Sequence, residues 1–352
     1  MNFLRNAWYC AGWAADLGAE PITRTYLNEP VLLYRLRDGR AVAIGERCPH
    51  RFAPLHKGKL RDDCIECPYH GLRFDASGAC VHNPHGDGAI PKAARVKAYP
   101  LVEQYGALWI WMGDPSLAGE STLIDAHEIE KREGWDVVRG QLNVQGNYEL
   151  LADNLLDLSH VPFLHPFLSF DGPPPPGFSF HSELKQDGNT VYAINLLTNT
   201  PVSPLYKLLW DNPPEVGEMR AHMRWDAPCT LMLDTGMNTV GGSREDGPSL
   251  PTAHFLTPET ETSTHYFWAQ ARDRKVGDEA MSALLAKGVN DAFQNEDEPM
   301  IEDCQRLMGT PDLMSLKPVL LQTDAPAIRA RRVLASLRER EQKPAVRAEV
   351  SA

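Results

Sequence analysis

No apolar run in the sequence approaches the ~18 residues that a membrane-spanning helix needs, which argues against an integral membrane protein. The opening Met1-Asn2-Phe3-Leu4-Arg5-Asn6 lacks the basic segment and apolar stretch of a secretory leader, so a cytoplasmic setting is expected. Positive charge is scarce. Lys and Arg number 35 against 47 Asp and Glu, a net charge of −12, and neutralising phosphates would need a basic face, so no nucleic-acid partner is expected. There is no G-x-G-x-x-G run after a strand-like segment, so any nicotinamide cofactor is expected to be handled by another protein. Internal repeats are missing too. Cysteines are few and odd in number, seven, which excludes a simple disulfide framework and shifts weight toward metal binding. What remains is 352 residues, 43% hydrophobic, enough for two well-cored domains.

From Asn6 to about Asp114 the sequence shows short runs rich in Val, Ile, Leu, Tyr and Trp, such as Val31–Leu36, Ala41–Ile44, Leu72–Phe74 and Ala107–Trp111. Asp38-Gly39 and Ser77-Gly78 are hairpin signals between them, so a small all-β domain is expected. Gly113-Asp114-Pro115 stops the last strand and marks the boundary. Beyond it, Asn147 to His160 reads as a helix: Leu150, Leu151, Asn154, Leu155 and Leu158 recur at three- and four-residue spacing, and Pro162 closes it. Pro173 to Pro176 predicts an extended loop, residues 180–270 return to strands, and Asp278–Gly309 and Ala325–Arg340 read as helices.

Four of the seven cysteines and five of the twelve histidines crowd positions 48–85. Cys48-Pro49-His50 and Cys67-Pro68-Tyr69-His70 form C-x-H and C-x2-H motifs, with sixteen residues between His50 and Cys67. Each motif places one thiolate and one imidazole at a loop tip after a strand-like run. Two such tips meeting make a Cys2His2 site. Zinc is one possible occupant, but a zinc finger normally pairs its cysteines and carries its histidines on a helix. One thiolate and one imidazole per β loop suits a two-iron cluster in which one iron takes both thiolates and the other both imidazoles, the Rieske 2Fe-2S centre. Neutral imidazoles raise its potential, making it an acceptor from a flavin or plant-type ferredoxin. Pairing Cys64 with Cys67 would compete for Cys67 and leave His70 unexplained.

Cys48-Pro-His50-Arg51 with Cys67-Pro-Tyr-His70-Gly71 resembles the cluster signature of the Rieske non-haem iron oxygenases, and Asn6-Ala-Trp-Tyr9 resembles their opening. Over essentially the whole chain the sequence is similar to the aromatic O-demethylases and monooxygenases of the vanillate, dicamba and toluenesulfonate type. The resemblance implies an α+β fold. It places an N-terminal all-β Rieske domain at 1–115, a helix-grip-like catalytic domain with an antiparallel sheet and flanking helices at 116–342, and a tail at 343–352. It also implies a terminal oxygenase that uses O2 and NAD(P)H electrons, relayed by a separate ferredoxin or flavin/2Fe-2S reductase. The reaction would demethylate or hydroxylate a small aromatic compound, with vanillate-like O-demethylation foremost. Ring dihydroxylation, methyl hydroxylation, a non-catalytic Rieske electron carrier and a zinc-stabilised binding module are the alternatives.

On the expected helix Asp153, Asp157 and His160 share one face at i, i+4 and i+7, with Asn154 beside them, and Pro162 turns the chain so that His165 swings back. Two histidines and one carboxylate on one face of a mononuclear Fe(II) leave three positions open for O2 activation beside substrate. Spacing leaves the carboxylate open among Glu296, Asp297, Glu298 and Asp303, and the resemblance implies Asp297. Asp157 and Asn154 are the candidate catalytic residues beside the metal. In the resembled family the aspartate matching Asp157 bridges the iron histidine to a Rieske histidine of the neighbouring subunit in a head-to-tail homotrimer. Electrons would then pass from His70 or His50 of one chain to His160 of the next; an ordinary surface carboxylate is the alternative reading.

Between Arg47 and Arg61 lie five basic residues and no acid, and Arg51, Lys57 and Lys59 are candidate docking residues for an acidic redox partner. Phe163, Phe167, Leu168, Phe170, Tyr266, Phe267 and Trp268 suggest an apolar, aromatic-accepting pocket. The resemblance makes His265 a substrate-binding candidate, with Asp234 or Asn238 as polar partner. Asp234, if it faced the pocket, would repel a carboxylate and leave phenolic or uncharged aromatics open.

Overall fold

The computed structural model describes residues 3–119, 122–165, 167–168 and 172–343, so the expected tail beyond Lys343 lies outside the described residues. The N-terminal part is all-β, built from three small antiparallel sheets. Trp8–Trp13, Ala107–Trp111 and Leu101–Gln104 form the first. In the second, Glu29–Arg35 pairs with Ala41–Gly45 across the Asp38-Gly39 reversal, where Gly39 adopts φ 87°. In the third, Ser77-Gly78 turns Arg73–Phe74 back onto Cys80–His82. The two cysteine loops leave strands Ala41–Gly45 and Cys64–Glu66, as the sequence suggests.

The C-terminal part is a seven-stranded antiparallel sheet with flanking helices. Its order is Asp136–Val144, Thr264–Arg272, Thr252–Pro258, Thr230–Asn238, Val216–Asp226, Thr190–Pro201 and Ser179–Asp187. The helices are α1 (Tyr148–Leu156), α2 (Val161–Leu164), α3 (Pro204–Leu209), α4 (Glu279–Asp291), α5 (Glu298–Met308) and α6 (Ala325–Gln342). Between α4 and α5 the chain winds as a π-helical segment, Ala292–Asp297. Gly309 ends α5 in the left-handed conformation, φ 63°.

One expectation about the helix at 147–160 fails. Asn147 caps α1, but α1 stops at Leu156; Asp157 is extended and caps a separate short turn, Leu158–His160, through Ser159 N. Asp153, Asp157 and His160 therefore do not share a helical face. Pro162 does not end a helix either: it sits in the first turn of α2, where a missing N–H costs nothing.

The two parts share apolar cores. Trp8, Trp13, Trp109 and Trp111 pack in one cluster with Met232, Phe255 and Phe267 of the large sheet. Trp13 Nε1 donates to Gly140 O at 2.9 Å, tying the first strand to the edge of that sheet.

Candidate functional site

The two cysteine loops meet at one end of the N-terminal part. Cys48 and Cys67 are buried free thiols, while His50 and His70 lie side by side with their Nδ1 atoms 3.1 Å apart. The donors divide into a buried sulfur pair and an outer imidazole pair, the division a Rieske cluster requires. Burial pushes the Cys48 thiol up to about 11, so it ionises only against metal charge. Tyr69, 64% exposed, lies with its ring 4.0 Å from that of His70, and Phe52, two residues after His50, is 69% exposed; the sequence reading singled out neither. Arg51, Lys57 and Lys59 are exposed and have no carboxylate partner among the described residues, whereas Arg61 pairs with Glu66 at 3.0 Å.

The second group forms where the end of α2 meets the π-helical segment. One donor atom each of His160, His165 and Asp297 lies within 4.8 Å of the others, an arrangement fit for one metal ion. His165 Nε2 is 3.2 Å and His160 Nε2 is 3.6 Å from the Asp297 carboxylate. Each histidine is held by its other nitrogen: His160 Nδ1 donates to Asp157 O at 2.7 Å, and His165 Nδ1 contacts Glu296 Oε2 at 2.5 Å. Both rings thus present Nε2 inward. Asn154 Nδ2 donates to Asp297 Oδ1 at 3.0 Å, fixing the third donor. The Asp157 contact is through its carbonyl; its carboxylate caps Ser159 instead of reaching His160. Of the four acidic candidates, Asp297 joins the triad and Glu296 stands directly behind it. Both can do so because the π-helical turn carries an extra residue past the α-helical register.

Above the triad lies a cavity of about 570 Å³, floored by His160, His165 and Asp297 and walled largely by apolar side chains such as Met219, Leu233, Leu250 and Leu285. Phe167 and Leu168 line it; Phe163 is 84% exposed and does not, and Phe170 lies outside the described residues. Strand parity decides the rest. Leu233 and Thr235 point in, so Asp234 and Asn238 point away: Asp234 pairs with Arg220 at 3.0 Å and Asn238 donates to Thr239 O at 2.9 Å. His265 also belongs to the far face, its Nε2 bonded to Thr25 O at 2.9 Å, so the expected substrate histidine is not in the cavity. His254, which the sequence reading missed, is. Thr252 and His254 share the inner face of strand Thr252–Pro258, a parity that the sequence does not mark. Burial pushes the His254 imidazole down to about 3, so it is neutral. Its Nδ1 lies 2.7 Å from Tyr266 Oη, and Gln270 Nε2 donates to Thr252 Oγ1 at 3.1 Å.

Comparison with known proteins agrees with this geometry. Residues 7–100 match the Rieske [2Fe-2S] domain and residues 144–340 the vanillate O-demethylase oxygenase C-terminal domain. The chain is 36% identical to the oxygenase component of chloroacetanilide N-alkylformylase of Rhizorhabdus wittichii, over 98% of each chain. It is 38% identical to the iron-sulfur subunit of the toluene-4-sulfonate monooxygenase system of Comamonas testosteroni, over 87% of this chain and 89% of the other. The crystal structure of dicamba monooxygenase bound to 3,6-dichlorosalicylic acid superposes with a TM-score of 0.90 at 32% identity, covering 97% of this chain and 99% of that one. With its cluster loops, its triad and both domain types accounted for, the chain belongs to the Rieske non-haem iron oxygenases of the vanillate O-demethylase group.

Proposed function

We propose that the chain is the terminal oxygenase of a multicomponent monooxygenase that demethylates or hydroxylates a small aromatic compound, with a Rieske domain at 1–115 and a catalytic domain at 116–342. Cys48, His50, Cys67 and His70 would hold the 2Fe-2S cluster, and His160, His165 and Asp297 a ferrous ion. When bound, these groups supply one-electron transfer and O2 activation. The chain's own side chains orient and exclude. Asp157 O and Glu296 set the histidine rings, Asn154 sets Asp297, and the apolar walls hold an arene against the triad while keeping water out.

Electrons would come from NAD(P)H through a ferredoxin or flavin/2Fe-2S reductase landing on exposed Phe52 and Tyr69, with Arg51, Lys57 and Lys59 steering an acidic partner. In a homotrimer Asp157, which holds His160 Nδ1 through its carbonyl, would link that histidine to a Rieske histidine of a neighbouring chain. No helix among the described residues is long and apolar enough to cross a membrane, and a need for NAD(P)H would put the work in the cytoplasm.

The observation that carries the reading is the His160, His165 and Asp297 set at the floor of an apolar cavity of about 570 Å³. Its test is reconstitution with a reductase and a panel of methoxyarenes, following O2 uptake and product. Formaldehyde release identifies demethylation and a hydroxylated product without formaldehyde identifies hydroxylation. No substrate-dependent O2 uptake with both iron centres loaded would defeat it.

A further inference from the structure

The polar atoms of the cavity wall specify a substrate class, given the reading of this cavity as the substrate site. Two hydrogen-bond chains fix their polarity. The hydroxyl hydrogen of Tyr266 has His254 Nδ1 as its one acceptor among the described residues, so the phenol donates and the imidazole hydrogen sits on Nε2. Thr252 Oγ1 gives its hydrogen to Leu250 O at 3.0 Å and therefore accepts from Gln270 Nε2, which turns Gln270 Oε1 the other way. His254 Nε2 and Gln270 Oε1 are both left without a partner: one donor, one acceptor. Thr252 pairs with Gln270 and His254 with Trp268 across the strands, so the two side chains are diagonal neighbours on the inner face. Ser203 Oγ, also unpartnered and on the same cavity, can take either role.

Fixed positive charge is missing from this wall. Among the described lining residues Lys287 is the one lysine or arginine; its side chain is 71% exposed and it pairs with Asp291. Burial also keeps His254 uncharged. A carboxylate or sulfonate held against this wall, away from the triad at the floor, would lose its hydration with no unpaired lysine or arginine among the described lining residues to replace it.

We propose that the cavity binds an uncharged arene bearing one hydrogen-bond acceptor and one donor, a carboxamide, with its carbonyl oxygen on His254 Nε2–H and its N–H on Gln270 Oε1. Gln270 is then the residue that sets the preference, because an analogue without the donor leaves a buried acceptor unpaired.

The test is isothermal titration calorimetry on the iron-loaded holoenzyme, without reductase, using 3-methoxybenzamide, 3-methoxyacetophenone and 3-methoxybenzoate. The amide is expected to bind roughly tenfold more tightly than the ketone, which cannot donate, and more tightly still than the benzoate. In Gln270→Leu the amide and ketone should bind alike. Benzoate binding as tightly as the amide, a ketone equal to the amide in the wild type, or binding of none of the three overturns the proposal. The wild-type comparison stands whether or not the variant folds. Turnover with reductase separates this inference from the function it rests on. Formaldehyde from the benzoate alone keeps the oxygenase and overturns the amide assignment, whereas tight amide binding without O2 uptake supports the assignment and counts against the oxygenase.

Discussion

Glu296 and Asp297 are neighbours in sequence with opposite tasks: Asp297, 3% exposed, faces both Nε2 atoms, and Glu296 holds His165 from behind. Removing the support should cost metal, because partners of this kind typically change affinity by about 10–100-fold. Glu296→Ala is expected to lose mononuclear iron to a chelator at correspondingly lower concentration, with the visible spectrum of the cluster unchanged; wild-type iron retention would refute the assignment. At this scale the meeting of Cys48, His50, Cys67 and His70 was legible, since C-x-H and C-x2-H are dense and local. His254 was not. Every residue of Thr252–Pro258, and all but His265 of Thr264–Arg272, is buried, so no polar alternation tells which parity faces the cavity, and a one-residue slip exchanges His265 for its neighbours.

The segment that carries the triad histidines is anchored by an element far away in sequence. Arg331 of α6 makes a two-pronged contact with Asp153 and bonds Glu149 Oε2 at 2.8 Å, while Arg338 joins Glu149 at 2.6 Å. Arg331 and Glu149 are 9% and 7% exposed. Arg331→Ala strips Asp153 of its cation and leaves Glu149 with Arg338 alone, and is expected to destabilise the fold by about 3 kcal/mol, read by chemical denaturation. A loss below 1 kcal/mol would mean the network is solvent-screened. Periodicity predicted α1 and α6 well because long apolar stripes are robust. It overran the end of α1 because Asp157-Leu-Ser159 is a local capping turn whose side chain competes with helix continuation. The π-helical turn has no compositional signature at all, so only the structure reveals why Glu296 and Asp297 both reach the histidines.

For the whole molecule, a net charge of −12 with an unpaired basic patch at Arg51, Lys57 and Lys59 predicts strongly salt-dependent reduction. Stopped-flow reduction by the reductase should slow roughly tenfold or more as salt approaches 1 M, where the Debye length is about 3 Å. The double variant Lys57→Glu and Lys59→Glu should slow it at low salt while leaving the cluster spectrum intact; insensitivity to both would place the landing site elsewhere. The two-part architecture was readable from the texture of the sequence, but the shared packing between the parts was not, since it joins residues more than a hundred positions apart. Trp13 packs against Phe255 and Phe267 and Trp109 against Phe255, within the cluster that also holds Trp8, Trp111 and Met232. Chimaeras that exchange Rieske domains between relatives should therefore succeed or fail by whether these seven side chains travel together, which makes the tryptophan cluster the natural crossover rule for recombining this enzyme with others of its kind.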